Sequence, residues 1–504
     1  MADEVFPEPN LVDRHGDPAA RADLERLGRE TWAAALDWLY GPARERPIAP
    51  EPYHVARRAF FGPTDRPGPA PSEPAPSEAV LGEFRERIAP NVFAAQHPGA
   101  FSYFTPPPLP MSIAGEVLAQ WVHQGVDVWH AGPVAAFVEE EVTAWLRDLV
   151  GMGEGSWGVL TSGGVMANLM ALAVARDVHL AGRRGGSAAA PPRGAALDGV
   201  RVYASDQAHF SIARALDILG FPEETLRIVA SDARFRLLAG PVAAAIAEDR
   251  AAGLLPLAIA AVAGSTNTGS VDDVVGLADV ARREGLWLHV DAAYGGAARL
   301  SPRYADRLPG LELADSVTID PHKWFFQAYD VGALVVRRRE DLHRTFHREP
   351  EYYRHPSPEE EPLHWYQYSM EGTRRFRALK LWMSWKHLGT RGFAELVDRN
   401  MALTDHLVAR CRAEGFAVAP TDPELSVVCF RIEPPGLDAE RLDAFQDALQ
   451  RALELSGAGW VSTTTLRGRR YLRAGIVNYL ATEADADRVV DALVRLAPEV
   501  LARS

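Results

Sequence analysis

Apolar and polar positions along this chain follow two periods. From about Met111 onward, short and largely apolar runs alternate with stretches in which apolar residues recur at three- and four-residue spacing. Gly158 to Leu160, Val200 to Ala204, Ala258 to Ala263, Leu286 to Val290, Ser316 to Ile319 and Ala333 to Val336 are runs of the first kind. They read as strands buried on both faces. Pro133 opens a helix with an expected apolar face of Val134, Val138, Val142, Trp145 and Leu149, closed by Gly151. Asp272 and Asp273 can cap another, in which Val274, Leu277, Ala278 and Ala281 share one face before Gly285 ends it. Helices between buried strands predict an α/β protein with a mostly parallel sheet covered on both faces.

Two helical stretches precede this region, Ala19 to Tyr40 and Ser77 to Ile88, with no core of their own. After about residue 386 the strands, Leu425 to Ile432 and Tyr471 to Val477, carry more charge and alternate with helices. The expected organisation is therefore an N-terminal helical and extended segment over 1–110, a large α/β domain over 111–385 and a small α+β domain over 386–504. Gly62 to Ser77 and Gly182 to Gly199 have loop compositions.

Composition narrows the function. The 504 residues are 47% apolar and 24% charged, as in a globular protein, with 53 basic against 67 acidic side chains and a net charge of −14. That balance argues against nucleic-acid binding, which needs clustered cations. No run approaches the ~20 apolar residues of a membrane helix. The first residues lack the basic and apolar regions of a signal peptide, so a cytoplasmic location is expected. Two cysteines, Cys411 and Cys429, leave neither a disulfide scaffold nor a multi-cysteine metal site, and no metal is expected.

In such a sheet, ligands sit beyond the carboxyl ends of the strands. Four features stand there. Thr161-Ser162-Gly163-Gly164 follows a strand and opens a helix, where free N–H groups and the dipole favour an anion. Asp291 ends an apolar strand, where a carboxylate needs a cation or hydrogen-bond donors. Lys323 follows another strand, and an apolar setting would lower its pKa and make it a nucleophile for an imine. His209 follows a fourth. Each alone has an ordinary explanation: a turn, a loop-holding Asp, a snorkelling Lys, a satisfied core His. Together they are the parts that hold pyridoxal phosphate (PLP): a phosphate cradle, a stacking ring, a carboxylate for the pyridine nitrogen and an imine-forming lysine.

The motifs TSGGVMANL, SDQAHFSIARA, HVDAAYGG and DPHKW, in this order, resemble those of the group II PLP-dependent decarboxylases of fold type I, the aromatic-L-amino-acid decarboxylase family. The likeness runs from about His97 to the Tyr471–Tyr479 segment. It implies a PLP-binding large domain with a seven-stranded, mostly parallel sheet. By resemblance, Lys323 attaches the cofactor, Asp291 partners the pyridine nitrogen, Ala293 lies under the ring and His209 stacks on it. Gly163, Gly164, Ser316 and His322 match phosphate-side positions, and Thr266 one near the cofactor oxygen. Val165 occupies a cofactor-side position where many relatives carry Ser or Thr, so a hydroxyl donor is missing. Tyr352 matches a loop tyrosine that protonates the substrate carbon. Tyr103, Phe104, Thr105, Asp127 and Tyr329 match substrate-pocket positions.

The resemblance implies decarboxylation of an L-amino acid, aromatic by preference, to the amine and CO₂. It also implies a homodimer in which Gly125 to Trp129 reaches the neighbouring subunit's site. Two alternatives stand. One is an oxidative decarboxylase yielding an aldehyde, against which Tyr352 argues. The other is a decarboxylase of acidic or basic amino acids such as glutamate or diaminobutyrate, the cationic kind being favoured by Asp127.

Overall fold

A computed structural model describes residues 18–48, 51–180, 193–348, 351 and 362–503. Seven strands form one sheet: β1 (Trp157–Thr161), β2 (Val200–Ser205), β3 (Leu226–Val229), β4 (Leu255–Val262), β5 (Trp287–Asp291), β6 (Ser316–Ile319) and β7 (Gly332–Val336). Their spatial order is β1-β7-β6-β5-β4-β2-β3. Strands β3, β2, β4, β5 and β6 pair in parallel, and β7 runs antiparallel to both β6 and β1. Every residue of β1, β5, β6 and β7 is buried, as expected for a sheet covered on both faces. A second sheet of four strands has the order β10-β11-β9-β8, with β8 Ala417–Ala419, β9 Val427–Arg431, β10 Ser462–Leu466 and β11 Arg469–Gly475.

The chain divides into two compact units. One spans Tyr103–Glu433 and Thr464–Tyr479 and holds the seven-stranded sheet. The other gathers Met1–Ser102, Pro434–Thr463 and Leu480–Ser504. Within the latter, the Ala439–Ser456 and Glu483–Leu501 helices pack on each other. The first is capped by Asp438, whose side chain accepts from Arg441 N–H, and the second by a Thr482–Asp485 capping box. Chain-distant segments meet there: Phe101 N–H donates to Trp460 O at 2.9 Å, and Trp460 N–H to Gly99 O at 2.9 Å. Among the described residues, no helix is long and apolar enough to cross a membrane.

The aspartate pair before Val274 divides its labour. Asp273 caps the Val274–Glu284 helix by accepting from Gly276 N–H. Asp272 is buried and accepts from Leu237 N–H and Val262 N–H, both at 2.7 Å, and burial pushes its carboxyl up to about 7. One expected helix face is only partly right: Val142 is buried and Val138, Trp145 and Leu149 are partly buried against the core. The Pro133–Val150 helix buries Ala135, Ala136, Glu139, Val142, Thr143, Leu146 and Val150, while Val134 is 69% exposed. The cause is Glu139, a residue that periodicity assigns to solvent. Its carboxylate pairs with buried Arg374 and accepts from Leu160 N–H at 3.0 Å, which turns the helix about its axis.

Candidate active site

The glycine turn, the ends of β4, β5 and β6, and the loop after β2 surround a cavity of about 400 Å³. Gly163, Gly164, Val165, Asn168, His209, Thr266, Asp291, Ala293, Asp320, His322 and Lys323 are among the residues that line it. The cavity lies within the Tyr103–Glu433 unit.

The turn is built from close approaches that admit no side chain. A methyl on Gly164 would stand 2.8 Å from Asp320 Oδ2 and 3.3 Å from Ala293 Cβ, and one on Gly332 would meet Gly163 Cα at 2.5 Å. The Gly164–His179 helix starts here. Its first intrahelical bond runs from Ala167 N–H to Gly163 O; Gly163 N–H donates to Thr161 Oγ1 at 3.3 Å, and the N–H groups of Gly164, Val165 and Met166 have no intrahelical acceptor and can serve an anion.

Opposite the turn, Asp291 is 6% exposed and held at both oxygens. Asn168 Nδ2 donates to Oδ2 at 2.8 Å, and Ala293 N–H to Oδ1 at 3.0 Å. Asn168 is held in turn: its Oδ1 accepts from Thr318 Oγ1 at 2.7 Å and from His289 Nε2 at 3.0 Å. His289 Nδ1 then accepts from Ser316 Oγ at 2.9 Å, whose oxygen accepts from Trp287 Nε1 at 2.8 Å. This buried relay has one consistent proton assignment, with His289 neutral. Burial holds the His289 imidazole at about 4, against the pull of Asp291.

Lys323 Nζ lies 3.0 Å from Asp320 Oδ2. Burial lowers its pKa, but the Asp320 and Asp291 carboxylates outweigh that and leave it raised. The expectation of a lowered lysine therefore fails, because two carboxylates share its cavity. His209 Nδ1 accepts from Ser211 N–H at 3.3 Å and lies 2.8 Å from Ser211 Oγ; burial lowers its pKa. His322 Nδ1 accepts from Val331 N–H at 3.2 Å, and its pKa is lowered by burial against Asp320.

Several expected site residues stand elsewhere. Ser316 does not line the cavity; it is consumed by Trp287 and His289, so an anion there would rely on the turn itself, its backbone N–H groups and Ser162. Phe104 is buried and stacks on Tyr294 at 3.9 Å, with the Arg473 guanidinium 4.7 Å from its ring, so it supports a wall rather than facing a substrate. Tyr103 and Tyr329 are exposed. Tyr329 Oη is 2.8 Å from Thr105 Oγ1, and its ring edge meets His322 at 4.8 Å. Asp127 lies outside the cavity lining, its backbone oxygen accepting from Tyr366 N–H at 3.2 Å. Gly125 to Trp129 is held by its own chain, through Val126 N–H to Arg374 O at 2.7 Å and Trp129 N–H to His364 Nδ1 at 3.2 Å. Tyr352, and 181–192 of the expected loop, lie outside the described residues.

Four positioning residues went unnoticed: Asn168, Ser211, His289 and Asp320. Asn168 carried a signal, since it is the amide in an otherwise apolar helix face. All four lie within the motifs TSGGVMANL, SDQAHFSIARA, HVDAAYGG and DPHKW.

The lining fits PLP. An Asp with both oxygens fixed shares with a lysine a cavity large enough for one pyridine ring, and the helix-start turn supplies a phosphate cradle that any Cβ at Gly164 would fill. The Pyridoxal-dependent decarboxylase conserved domain matches residues 64–433. An aromatic-L-amino-acid decarboxylase of Bacillus atrophaeus is 33% identical over 80% of this chain and 82% of its own length. An L-2,4-diaminobutyrate decarboxylase of Acinetobacter baumannii is 30% identical over 79% and 81%. Among solved structures, Oryza sativa TDC with PLP and tryptamine superposes with a TM-score of 0.87 at 26% identity, covering 97% of this chain and 99% of that one. The chain therefore belongs to the pyridoxal-dependent decarboxylase family, and it is a PLP-dependent amino-acid decarboxylase.

Proposed function

We propose that the substrate is an aromatic L-amino acid, released as its amine and CO₂. The observation that carries this reading is the 33% identity, over four-fifths of the chain, to an aromatic-L-amino-acid decarboxylase. The exposed ring of Tyr329, beside His322 of the cavity lining, supports it. A cationic substrate is the second reading. It rests on the diaminobutyrate decarboxylases among the relatives and on Asp127, one of whose carboxylate oxygens is buried without a hydrogen bond.

Bound PLP supplies an electron sink for the bond to the departing carboxylate. Lys323 would attach it, and Asp291, fixed by Asn168 and Ala293 N–H, would keep its ring nitrogen protonated. His209 would lie against the ring, oriented by Ser211, with Ala293 leaving room beneath it. Gly163, Gly164 and Val165 would bind phosphate through backbone N–H groups, with His322 and Thr266 at its margins. Tyr352 would return a proton to the substrate carbon. We also place the protein in the cytoplasm, in keeping with two buried free cysteines.

A homodimer is part of this reading. Val117, Leu118, Trp121 and Val122 on the Pro110–Val122 helix, with Val134 and Phe137 on the Pro133–Val150 helix, leave an apolar surface exposed.

Screening the purified protein against common L-amino acids, with detection of CO₂ and amine, tests the substrate class. Turnover of 2,4-diaminobutyrate with none of tyrosine, tryptophan or phenylalanine would select the second reading. Tyr352→Phe tests the proton donor: amine yield should fall, and aldehyde with peroxide should appear in air. General acids contribute roughly 10²–10⁴-fold, enough for oxidation to compete once the hydroxyl is gone. Unchanged amine yield would assign the proton to another group.

A further inference from the structure

We propose that phosphate binding at the Gly163–Gly164 turn takes up one proton, held between the incoming phosphate and the carboxylate of Asp320. The proposal rests on the reading of that turn as the phosphate cradle. Asp320, just beyond β6, is 2% exposed. A Cβ added to Gly164, the first residue of the Gly164–His179 helix, would stand 2.8 Å from its Oδ2, and its Oδ1 is buried with no hydrogen-bond donor. A buried carboxylate thus stands at the helix end whose N–H groups recruit an anion. A phosphate monoester carries nearly two charges above its second pKa of about 6. Two anions in one dry cradle disfavour each other's charged forms, and a shared proton relieves this while giving Asp320 a donor.

The surrounding charges leave no easier escape. Lys323 Nζ, 3.0 Å from Oδ2, is the full cation among the described lining residues, and it is also the nitrogen that the cofactor's aldehyde engages. His322 Nε2 lies 3.7 Å from Oδ2 but is pushed toward its neutral form by burial. His209 is likewise pushed toward neutrality, and Asp291 adds a further negative charge.

The sign follows from linkage. Proton uptake means that affinity falls as pH rises, by at most about tenfold per unit, in the range above pH 7 where the free ester no longer titrates. Cofactor-stripped protein would be titrated by calorimetry at pH 8, in two buffers of different ionisation enthalpy. The probes are pyridoxal 5′-phosphate, whose aldehyde engages Lys323, and pyridoxal, which engages it in the same way but lacks the phosphate, so protons exchanged at Lys323 are common to both. Any proton taken up at the ring nitrogen is common to both and cancels. The ester should take up about one proton more than the alcohol. In Asp320→Asn that difference should vanish, and the ester should bind on the order of tenfold tighter. Asp320→Ser provides the same test should the amide variant fail to fold. Equal proton uptake by the two probes in the wild type would overturn the proposal. So would a difference that persists in both variants, which would point to His322. An ester that binds no tighter than the alcohol would instead overturn the phosphate reading of the turn, and the proposal with it.

Discussion

Asp291 has little freedom, because Asn168 and Ala293 N–H each hold one of its oxygens. Asp291→Asn keeps the shape but removes the charge and turns an amide N–H toward a donor. We expect the variant to retain cofactor and lose about ten- to a hundredfold in turnover, the effect of one charge-assisted hydrogen bond of ~1.5–3 kcal/mol. Steady-state kinetics with cofactor content measured by absorbance checks both halves. His289 sets a pH dependence of stability. Its imidazole titrates at about 4 in the fold against an ordinary 6.5, because burial disfavours the cation. A base depressed by folding contributes stability that is present above pH 6.5 and lost as pH falls toward 4, on the order of 3 kcal/mol in all. His289→Asn should show a shallower fall in Tm between pH 7 and 5 than the wild type, measured by calorimetry.

At the scale of elements, the Pro133–Val150 helix is locked to β1 by one buried hydrogen bond, from Leu160 N–H to Glu139, and to Arg374 by a buried ion pair. Glu139 pairs with Arg374 and accepts from Leu160 N–H, while burial pushes its carboxyl up. Glu139→Ala would leave the buried Arg374 guanidinium, among the described residues, with only Ser369 Oγ at 2.8 Å and the Glu371 carboxylate at 3.9 Å, at a cost of up to about 3–5 kcal/mol, and Glu139→Gln should lose less because it still accepts from Leu160. Urea unfolding of the three proteins gives the comparison. Arg374 also presents Val126 with an acceptor, so this pair fixes the Gly125 to Trp129 segment as well as the helix.

For the molecule as a whole, the proposed dimer would bury the exposed apolar face of the Pro110–Val122 and Pro133–Val150 helices. Trp121 is 67% exposed, large and flanked by Val117, Leu118 and Val122. Trp121→Glu should weaken self-association by at least about thirtyfold, the effect of one interface anchor worth ~2 kcal/mol. Sedimentation velocity at micromolar concentration should find a dimer for the wild type and a monomer-rich mixture for the variant. A fully active wild-type monomer would refute the dimeric reading.

The sequence by itself determined the α/β class, all but one of the large sheet's seven strands, and the positions of Lys323, Asp291, His209 and the glycine turn. Apolar runs and strand-end polar residues are local signals, legible because burial on both faces leaves no polar alternation. The short β3 escaped, since Leu226–Val229 is only partly buried. Tertiary structure alone decided what depends on a distant partner. Glu139 faces inward because Arg374, 235 residues away, is there to meet it. Ser316 serves His289 rather than an anion because its neighbour across the strand pair is an imidazole. Lys323 is a firm cation because two carboxylates from two strand ends converge on it, and no apolar count along the chain can register a charge that arrives through space.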